Sequence, residues 1–391
     1  MRILFCEVDR PLTRLAILGS TGSVGRQTLD VVRAYPERFE VVALAGGSNL
    51  DILARQIAEF RPRYVCSAAD GLRERLGNAD AQFVSLSEMA VLPEVDVVMN
   101  AVVGAVGLEP SLQALEAGKS LALANKEAMV MAGGLMTATA AASGAQIRPV
   151  DSEHSAIWQC LAGEEPINVS KLILTASGGA FRDLPADALG NVTAEEALKH
   201  PTWTMGKRIT VDSAGLFNKG LEVIEARWLF DMPYERIDIV LHRESVIHSM
   251  VEFVDGSFKA QLASPDMKGP IQYALTYPDR LPVDMKPLDF AALGSLNFGT
   301  LDLERYPCLG LALAAGRKGG TYPAAIAAAD EEAVAGFLHN QIGFTDIPAL
   351  LADAMDAHDS REACDLATIM EADAWGRRFA RTWMETRTWT S

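Results

Sequence analysis

Between Arg14 and about Val150, short apolar runs alternate with helix-like stretches, and this order restricts the possible folds more than any other feature of the chain. RLAIL, FEVVALA, VDVVMNA, KSLALA and AQIRPV are nearly continuous in apolar residues. Strands of that kind are buried on both faces, as in parallel sheets covered by helices. VGRQTLDVVRAY and GLEPSLQALEAG, lying between them, have helical spacing. The expectation for residues 1–150 is therefore a doubly wound, Rossmann-like parallel sheet of the α/β class.

After Asp151 the texture changes. KLILTA, IDIVLH, SVIHSMVEFVD and SFKAQLA read as strands, some with one buried face, around one long helix in LFNKGLEVIEARWLF. An α+β catalytic domain is expected over 151–276. YPDRLPVDMKPLDF then reads as a Pro-rich linker within 277–303. The Ala-rich remainder, 304–391, is expected to form a C-terminal helical bundle. A chain of 391 residues, 49% hydrophobic, has core enough for several domains.

GSTGSVG, Gly19 to Gly25, ends the first strand. Its spacing is neither the usual dinucleotide fingerprint nor a P-loop. Glycines at such a turn still present backbone N–H groups and a helix start to an anion, with a plain structural turn as the alternative. The second strand runs into Gly47-Ser48-Asn49 without the acid that grips an unphosphorylated ribose. That favours NADPH over NADH.

PVDSEHSA places Asp151 and Glu153 two apart after an apolar strand, on one face if the segment is extended. Two such oxygens suit Mg2+ or Mn2+, and a solvated acidic loop is the alternative. In VDSAGLFNKGLEVIEA, Ser213 is a candidate N-cap, and Asn218, Lys219 and Glu222 share one helical face; an exposed polar face would look the same. Ser177-Gly178-Gly179 forms a second donor loop. KHPTWTMGKR carries His200, Trp203 and Met205 in a segment suited either to a mobile cover or to surface anchoring. His154, His242 and His248 lie in or beside apolar runs and are expected to be structural.

A formal charge of −16 argues against a nucleic-acid or acidic-membrane surface. No apolar run approaches the roughly 20 residues of a membrane span, and the start of the chain does not read as a signal peptide. Five scattered cysteines, without metal spacing, are expected to be reduced and mostly buried in a cytoplasmic protein.

Taken in order, GSTGSVG, LANKEA, VDSEHSA, ASGGAF, HPTWTMG, VDSAGLFNKGLEVIEARWLF, ESVIHSMVEFVDGSFKAQLASPDM and YPCLGLALAAGRKGGTYPAAIAAADEEAVAGFL resemble the 1-deoxy-D-xylulose 5-phosphate reductoisomerase family. The resemblance implies a homodimer that rearranges and reduces a small phosphorylated sugar in non-mevalonate isoprenoid synthesis. It also implies NADPH and one divalent cation, Mg2+ or Mn2+. The ion would fall to Asp151, Glu153 and Glu222, with Lys126 as a further catalytic group beside substrate and cofactor. Substrate contacts would fall on Lys126, Ser152, Glu153, Ser177, His200, Trp203, Met205, Ser213, Asn218, Lys219 and Ser245. Cofactor contacts would fall on Thr21, Gly22, Ser23, Val24, Gly47, Ser48, Asn49, Asn125, Glu127 and Gly206.

The chain departs from the family in several places. Met1 to Thr13 extend it at the front, and Ser48 stands where a basic residue is common. ASGGAF and SAGLFNKG differ from the usual forms at apolar positions but keep the polar ones. Two rivals remain: a semialdehyde dehydrogenase, which needs a nucleophilic cysteine, and a non-catalytic NADP-binding regulator, which needs no cage of carboxylates.

Overall fold

The structure, a computed structural model, describes residues 11–76, 80–203 and 205–386. Cys6 and most of the N-terminal extension lie outside them. Seven strands, β1 (Thr13–Leu18), β2 (Phe39–Gly46), β3 (Tyr64–Ser67), β4 (Gln82–Phe83), β5 (Val97–Asn100), β6 (Ser120–Leu123) and β7 (Ile147–Pro149), form one parallel sheet. Its order is β4-β3-β2-β1-β5-β6-β7. Helices α1 (Ser23–Ala34), α2 (Leu50–Phe60), α3 (Leu72–Leu76), α4 (Leu86–Ala90), α5 (Leu108–Glu116) and α6 (Lys126–Ser143) connect the strands. The strand order reverses between β1 and β5, and ligands of such sheets bind at the carboxyl ends of the strands flanking that point. The glycine loop leaves β1 there.

A second, mixed sheet has the order β11-β10-β8-β9-β12. It contains β8 (Val169–Ala176), β9 (Ile237–His242), β10 (Ile247–Phe253), β11 (Phe258–Leu262) and β12 (Phe298–Gly299). The helices of this part are α7 (Ser152–Leu161), α8 (Ala194–Ala197), α9 (Lys207–Ala214), α10 (Phe217–Leu229) and α11 (Lys268–Thr276). β8 and β9 run parallel, and the other pairs are antiparallel. Residues read as a Pro-rich linker contain the short α12 (Phe290–Leu293) and donate β12 to the sheet edge beside β9. α13 (Pro307–Lys318), α14 (Tyr322–Leu338), α15 (Asp346–Ala357) and α16 (Leu366–Thr386) complete the chain. No helix among the described residues is long and apolar enough to cross a membrane.

Three packing contacts tie these parts together. Ala324, Ala325, Ile369 and Ala372, from α14 and α16, share one core with strands β1, β2 and β5 and with α6. Ile271, Ala274 and Leu275 of α11 pack into the core on the other face of the same sheet. α6 itself bends at Ala132, whose φ of −134° is not helical, and Gly133 and Gly134 of the bend lie against the Trp228 indole of α10. A methyl on Gly133 would overlap that ring. Gly133→Ala is therefore expected to destabilise the protein by about 1–3 kcal/mol, because overpacking outweighs the gain in helix propensity. Thermal unfolding reads this directly, and an unchanged midpoint would mean that the indole can move aside.

Candidate active site

The glycine loop is shaped by backbone proximity. Gly19 has φ +88° and approaches Ala101 at the end of β5, while a side chain on Gly25 would collide with the Gly19 carbonyl. Gly22 caps α1 with no side-chain bond, leaving the helix N–H groups facing outward. The loop is braced from behind: Ser20 Oγ donates to Gln56 Oε1 at 2.8 Å, and Gln56 Nε2 donates to the Ser20 carbonyl at 2.9 Å.

A cleft of about 730 Å³ runs from this loop into the second half of the protein. Its walls include Gly22, Ser23, Val24, Lys126, Glu127, Asp151, Ser152, Glu153, Ser177, His200, Trp203, Met205, Gly206, Ser213, Asn218, Lys219, Glu222 and Ser245. The fold thus gathers these sequence candidates around one space. Thr21, Gly47, Ser48, Asn49 and Asn125 are not on its walls. Two of these have structural bonds: Asn49 Oδ1 caps α2 by accepting from Ile52 N at 3.0 Å, and buried Asn125 donates to the carbonyls of Val102 and Gly104.

Oxygens of Asp151, Glu153 and Glu222 lie within 4.8 Å of one another. The local geometry differs from the sequence expectation. Asp151 and Glu153 do not alternate along a strand: Asp151 is the N-cap of α7 and Glu153 lies in its first turn. Ser213 does not cap α10 either. It lies inside α9, and the cap of α10 is Leu216, held at φ +55°. The tight α9–α10 corner turns both helices toward the cleft, so the polar set survives the changed assignment.

Two buried lysines offset the acids. Lys126 Nζ lies 2.5 Å from Asp151, 3.3 Å from Glu222 and 3.4 Å from Glu225. Lys219 Nζ lies 2.9 Å from Glu153 and also bonds Glu222. Burial pulls the Lys126 ammonium down, but the three carboxylates outweigh it and hold it well above its usual value. Asp151, held by Lys126, falls below the ordinary carboxylate range despite its burial. Burial raises Glu222 and, still more, Glu225. The three carboxylates on the cleft wall, against two ammonium groups, leave an excess of negative charge, which fits a divalent cation.

A second cluster, Asp151, His154 and Glu225, also has ligand atoms within 4.8 Å. His154 Nε2 sits 2.8 Å from the Glu222 carbonyl and therefore carries the proton, leaving buried Nδ1 without a partner. Neither His154 nor Glu225 is on the cleft wall, so the first cluster is the accessible one.

At the other end of the cleft, His200 Nδ1 accepts the amide protons of Thr202 and Trp203 at 3.1 and 2.9 Å. Its Nε2 must then carry the proton, which it donates to Ser177 Oγ at 3.0 Å. Burial, with Arg182 nearby, lowers His200 to about 4, so the ring is neutral at pH 7. Ser177 Oγ also accepts from Gly179 N. With both lone pairs used, the Ser177 hydroxyl is free to donate, as a phosphate anchor requires. Asn218 Nδ2 donates to Glu222 at 2.6 Å, while its buried Oδ1 has no partner. Trp203 leans over His248, with ring centroids 6.0 Å apart. Thr204, between Trp203 and Met205, lies outside the described residues.

The cysteine-dependent rival fails on this geometry. Cys160 is buried, and burial pushes its thiol up to about 11. Cys66, Cys160, Cys308 and Cys364 are all free, but only Cys160 and Cys308 are buried; Cys364 is exposed.

Residues 15–133 match the family described as 1-deoxy-D-xylulose 5-phosphate reductoisomerase, and residues 147–230 and 262–379 match C-terminal domains of that enzyme. A reductoisomerase of Geobacillus sp. (strain WCH70) is 51% identical over 376 residues, covering 94% of this chain and 99% of the relative. One from Heliobacterium modesticaldum is 52% identical over 379 residues, covering 94% and 97%. This chain belongs to the 1-deoxy-D-xylulose 5-phosphate reductoisomerase family. Among solved structures, a reductoisomerase in complex with NADPH, fosmidomycin and magnesium superposes with a TM-score of 0.92 at 42% identity, covering 96% of this chain and 98% of that one. The Zymomonas mobilis reductoisomerase in complex with NADPH gives 0.90 at 38% identity, covering 96% and 100%.

Several residues around this reductoisomerase site escaped the sequence reading. Asp212, Asp266 and Met267 also line the cleft, as do Arg208 of the KHPTWTMGKR segment and His248, which was expected to be structural. Glu225 was legible in principle, being three residues after Glu222 on the same helical face. His242 is structural as expected, accepting from the amides of Val246 and Ile247. His248 and His154 instead stand at or just behind the site.

Proposed function

We propose that this chain converts 1-deoxy-D-xylulose 5-phosphate to 2-C-methyl-D-erythritol 4-phosphate, using NADPH and one Mg2+ or Mn2+. The observation carrying this reading is the placement of the three-carboxylate cluster in the same cleft as the Ser177–His200 pair and the glycine loop. The unpartnered Asn218 oxygen and the excess of acids over lysines are what a bound cation and a polyhydroxy substrate would answer.

Asp151, Glu153 and Glu222 would hold the ion, which when bound supplies Lewis-acid polarisation of a ketone and its neighbouring hydroxyl. Gly22, Ser23, Val24, Glu127 and Gly206 would line the NADPH site, with Thr21, Gly47, Ser48, Asn49 and Asn125 around it; the bound cofactor supplies the hydride. Ser177, by its free hydroxyl, joins Ser213, Asn218, Lys219 and neutral His200 in gripping the substrate phosphate. Ser152 and Ser245 add hydroxyls along the cleft. Binding energy collected at the unreactive phosphate orients the carbon skeleton whose bond is cut and re-formed. Lys126 keeps a positive charge beside the oxygen on which negative charge develops. Trp203 and Met205 cover the cleft and exclude water from the aldehyde awaiting reduction.

The test is NADPH oxidation by the purified protein, which is expected only when the sugar phosphate and Mg2+ or Mn2+ are both supplied. No turnover with both present would overturn the assignment, and leave the regulator reading standing. The same reading carries a homodimer in the cytoplasm. Light scattering giving a monomer mass at micromolar concentration would remove the dimer. Free thiols and a reaction fed by the cytoplasmic pool of NADPH support the location.

A further inference from the structure

At the wall of the cleft, but outside the carboxylate cage, two acids meet where three parts of the chain converge. Asp212 belongs to α9 and Asp330 to the middle of α14, and they are 5% and 1% exposed. Asp212 Oδ1 and both Asp330 oxygens are buried without a donor. Their carboxyl groups lie within hydrogen-bonding reach of each other. Arg208, one turn before Asp212, sits alongside: its Nε is 3.6 Å from Asp212 and its Nη2 is 4.0 Å from Asp330, too far for hydrogen bonds. Arg208 Nη1 is already committed to Glu127 at 2.5 Å and Glu331 at 3.0 Å.

One cation shared among four carboxylates cannot neutralise a second charge on the aspartate pair. Two ionised carboxylates in contact and out of water repel strongly, whereas one proton between them supplies the missing donor. We propose that Asp212 and Asp330 share a single proton, and that this pair with Arg208 is a positioning device fixing α9 to α6 and α14. α9 starts at the end of the Trp203–Met205 cover and carries Ser213 near its own end, so the clamp sets both relative to the phosphate site. The positioning half rests on the function proposed above; the shared proton does not.

The surroundings agree. Burial raises both aspartates, Asp212 to about 6 and Asp330 well above its ordinary value, each outweighing the pull of Arg208. The other charged or titratable groups facing the pair are Glu127 and Lys126 of α6, Glu331 of α14 and the Cys308 thiol of α13. Arg377 of α16 reaches Glu331 at 3.0 Å and Asp373 at 2.9 Å, so its charge is spent on other acids.

A folded-state carboxyl raised above its unfolded value stabilises the protein at low pH, and that stability is lost as pH rises through the folded value. The full-length wild type should therefore lose stability as pH rises above about 4 and through the raised folded value, with the native state holding one proton that the unfolded chain releases. Asp330→Asn should flatten that slope by one proton, and Asp212→Asn by the same one. The double variant should flatten it no further. Either single variant decides the matter if the other does not fold. Slopes equal to wild type, or single-variant effects that add to two protons, would overturn the shared proton.

For positioning, the wild-type KM for 1-deoxy-D-xylulose 5-phosphate should rise across the same pH range while kcat changes by less than about twofold. That rise should be absent in Asp330→Asn. A flattened stability slope with an unaltered KM profile would overturn the positioning role. Absence of turnover in the wild type would instead defeat the proposed function, while the unfolding data would still decide the proton.

Discussion

Glu222→Gln is expected to reduce turnover by at least about a hundredfold while leaving the fold intact. The side chain is 2% exposed, and its oxygens bond Asn218, Lys126 and Lys219. Glutamine has the same shape but lacks the charge with which a carboxylate holds a divalent ion. Neither lysine is abandoned, because Lys126 keeps Asp151 at 2.5 Å and Lys219 keeps Glu153 at 2.9 Å. The substitution also removes a buried charge that Glu153 and Asp151 repel. Melting in metal-free buffer should therefore be unchanged or slightly raised, even as activity collapses. The paired measurements are kcat at saturating Mn2+ and the calorimetric affinity for Mn2+. Retained turnover would take Glu222 out of the ion's shell.

Lys126→Met should damage both properties. The ammonium touches Asp151, Glu222 and Glu225, and all four groups are largely or wholly buried. Breaking a buried pair by removing one partner costs roughly 3–5 kcal/mol, because the other charge is stranded. The loss should be greatest at neutral and alkaline pH. It should ease in acid, where the stranded carboxylates take up protons that fill the role of the missing ammonium. Saturating Mg2+ should raise the variant's melting temperature more than the wild type's, since the ion offsets the same charge. Equal shifts would show that Lys126 and the cation do not answer the same acids. Turnover should also fall by about a hundredfold or more, because the charge beside the developing oxyanion is gone.

The strands that matter most were legible because they are fully buried, and burial on both faces writes itself as an apolar run. β3 and β4 were missed because they are only partly buried and write no continuous apolar run, and β12 was missed because a Pro-rich stretch hides a two-residue edge pairing. The site was legible at the level of residues and less so in its geometry. Alternation placed Asp151 and Glu153 together by the wrong route, since a helix cap followed by its first turn also brings two acids together. Ser213 was read as a cap because the sequence does not announce the turn at Leu216 between two helices. The Asp212–Asp330 pair had no signal at all: its members are far apart in sequence, and each sits in an ordinary helical pattern.

The packing of α14 and α16 onto α6 has a consequence for synthesis. β1 and its glycine loop leave the ribosome early, yet the core that α4, α5 and α6 build on one face of their sheet is completed by Ala324, Ala325, Ile369 and Ala372. Domains generally fold as they emerge, N-terminal first. Here the core on that face of the nucleotide-binding sheet stays incomplete until nearly the whole chain has been made. A nascent chain stalled before α16 is therefore a natural client for chaperones. A message truncated before α16 leaves that core without Ile369 and Ala372.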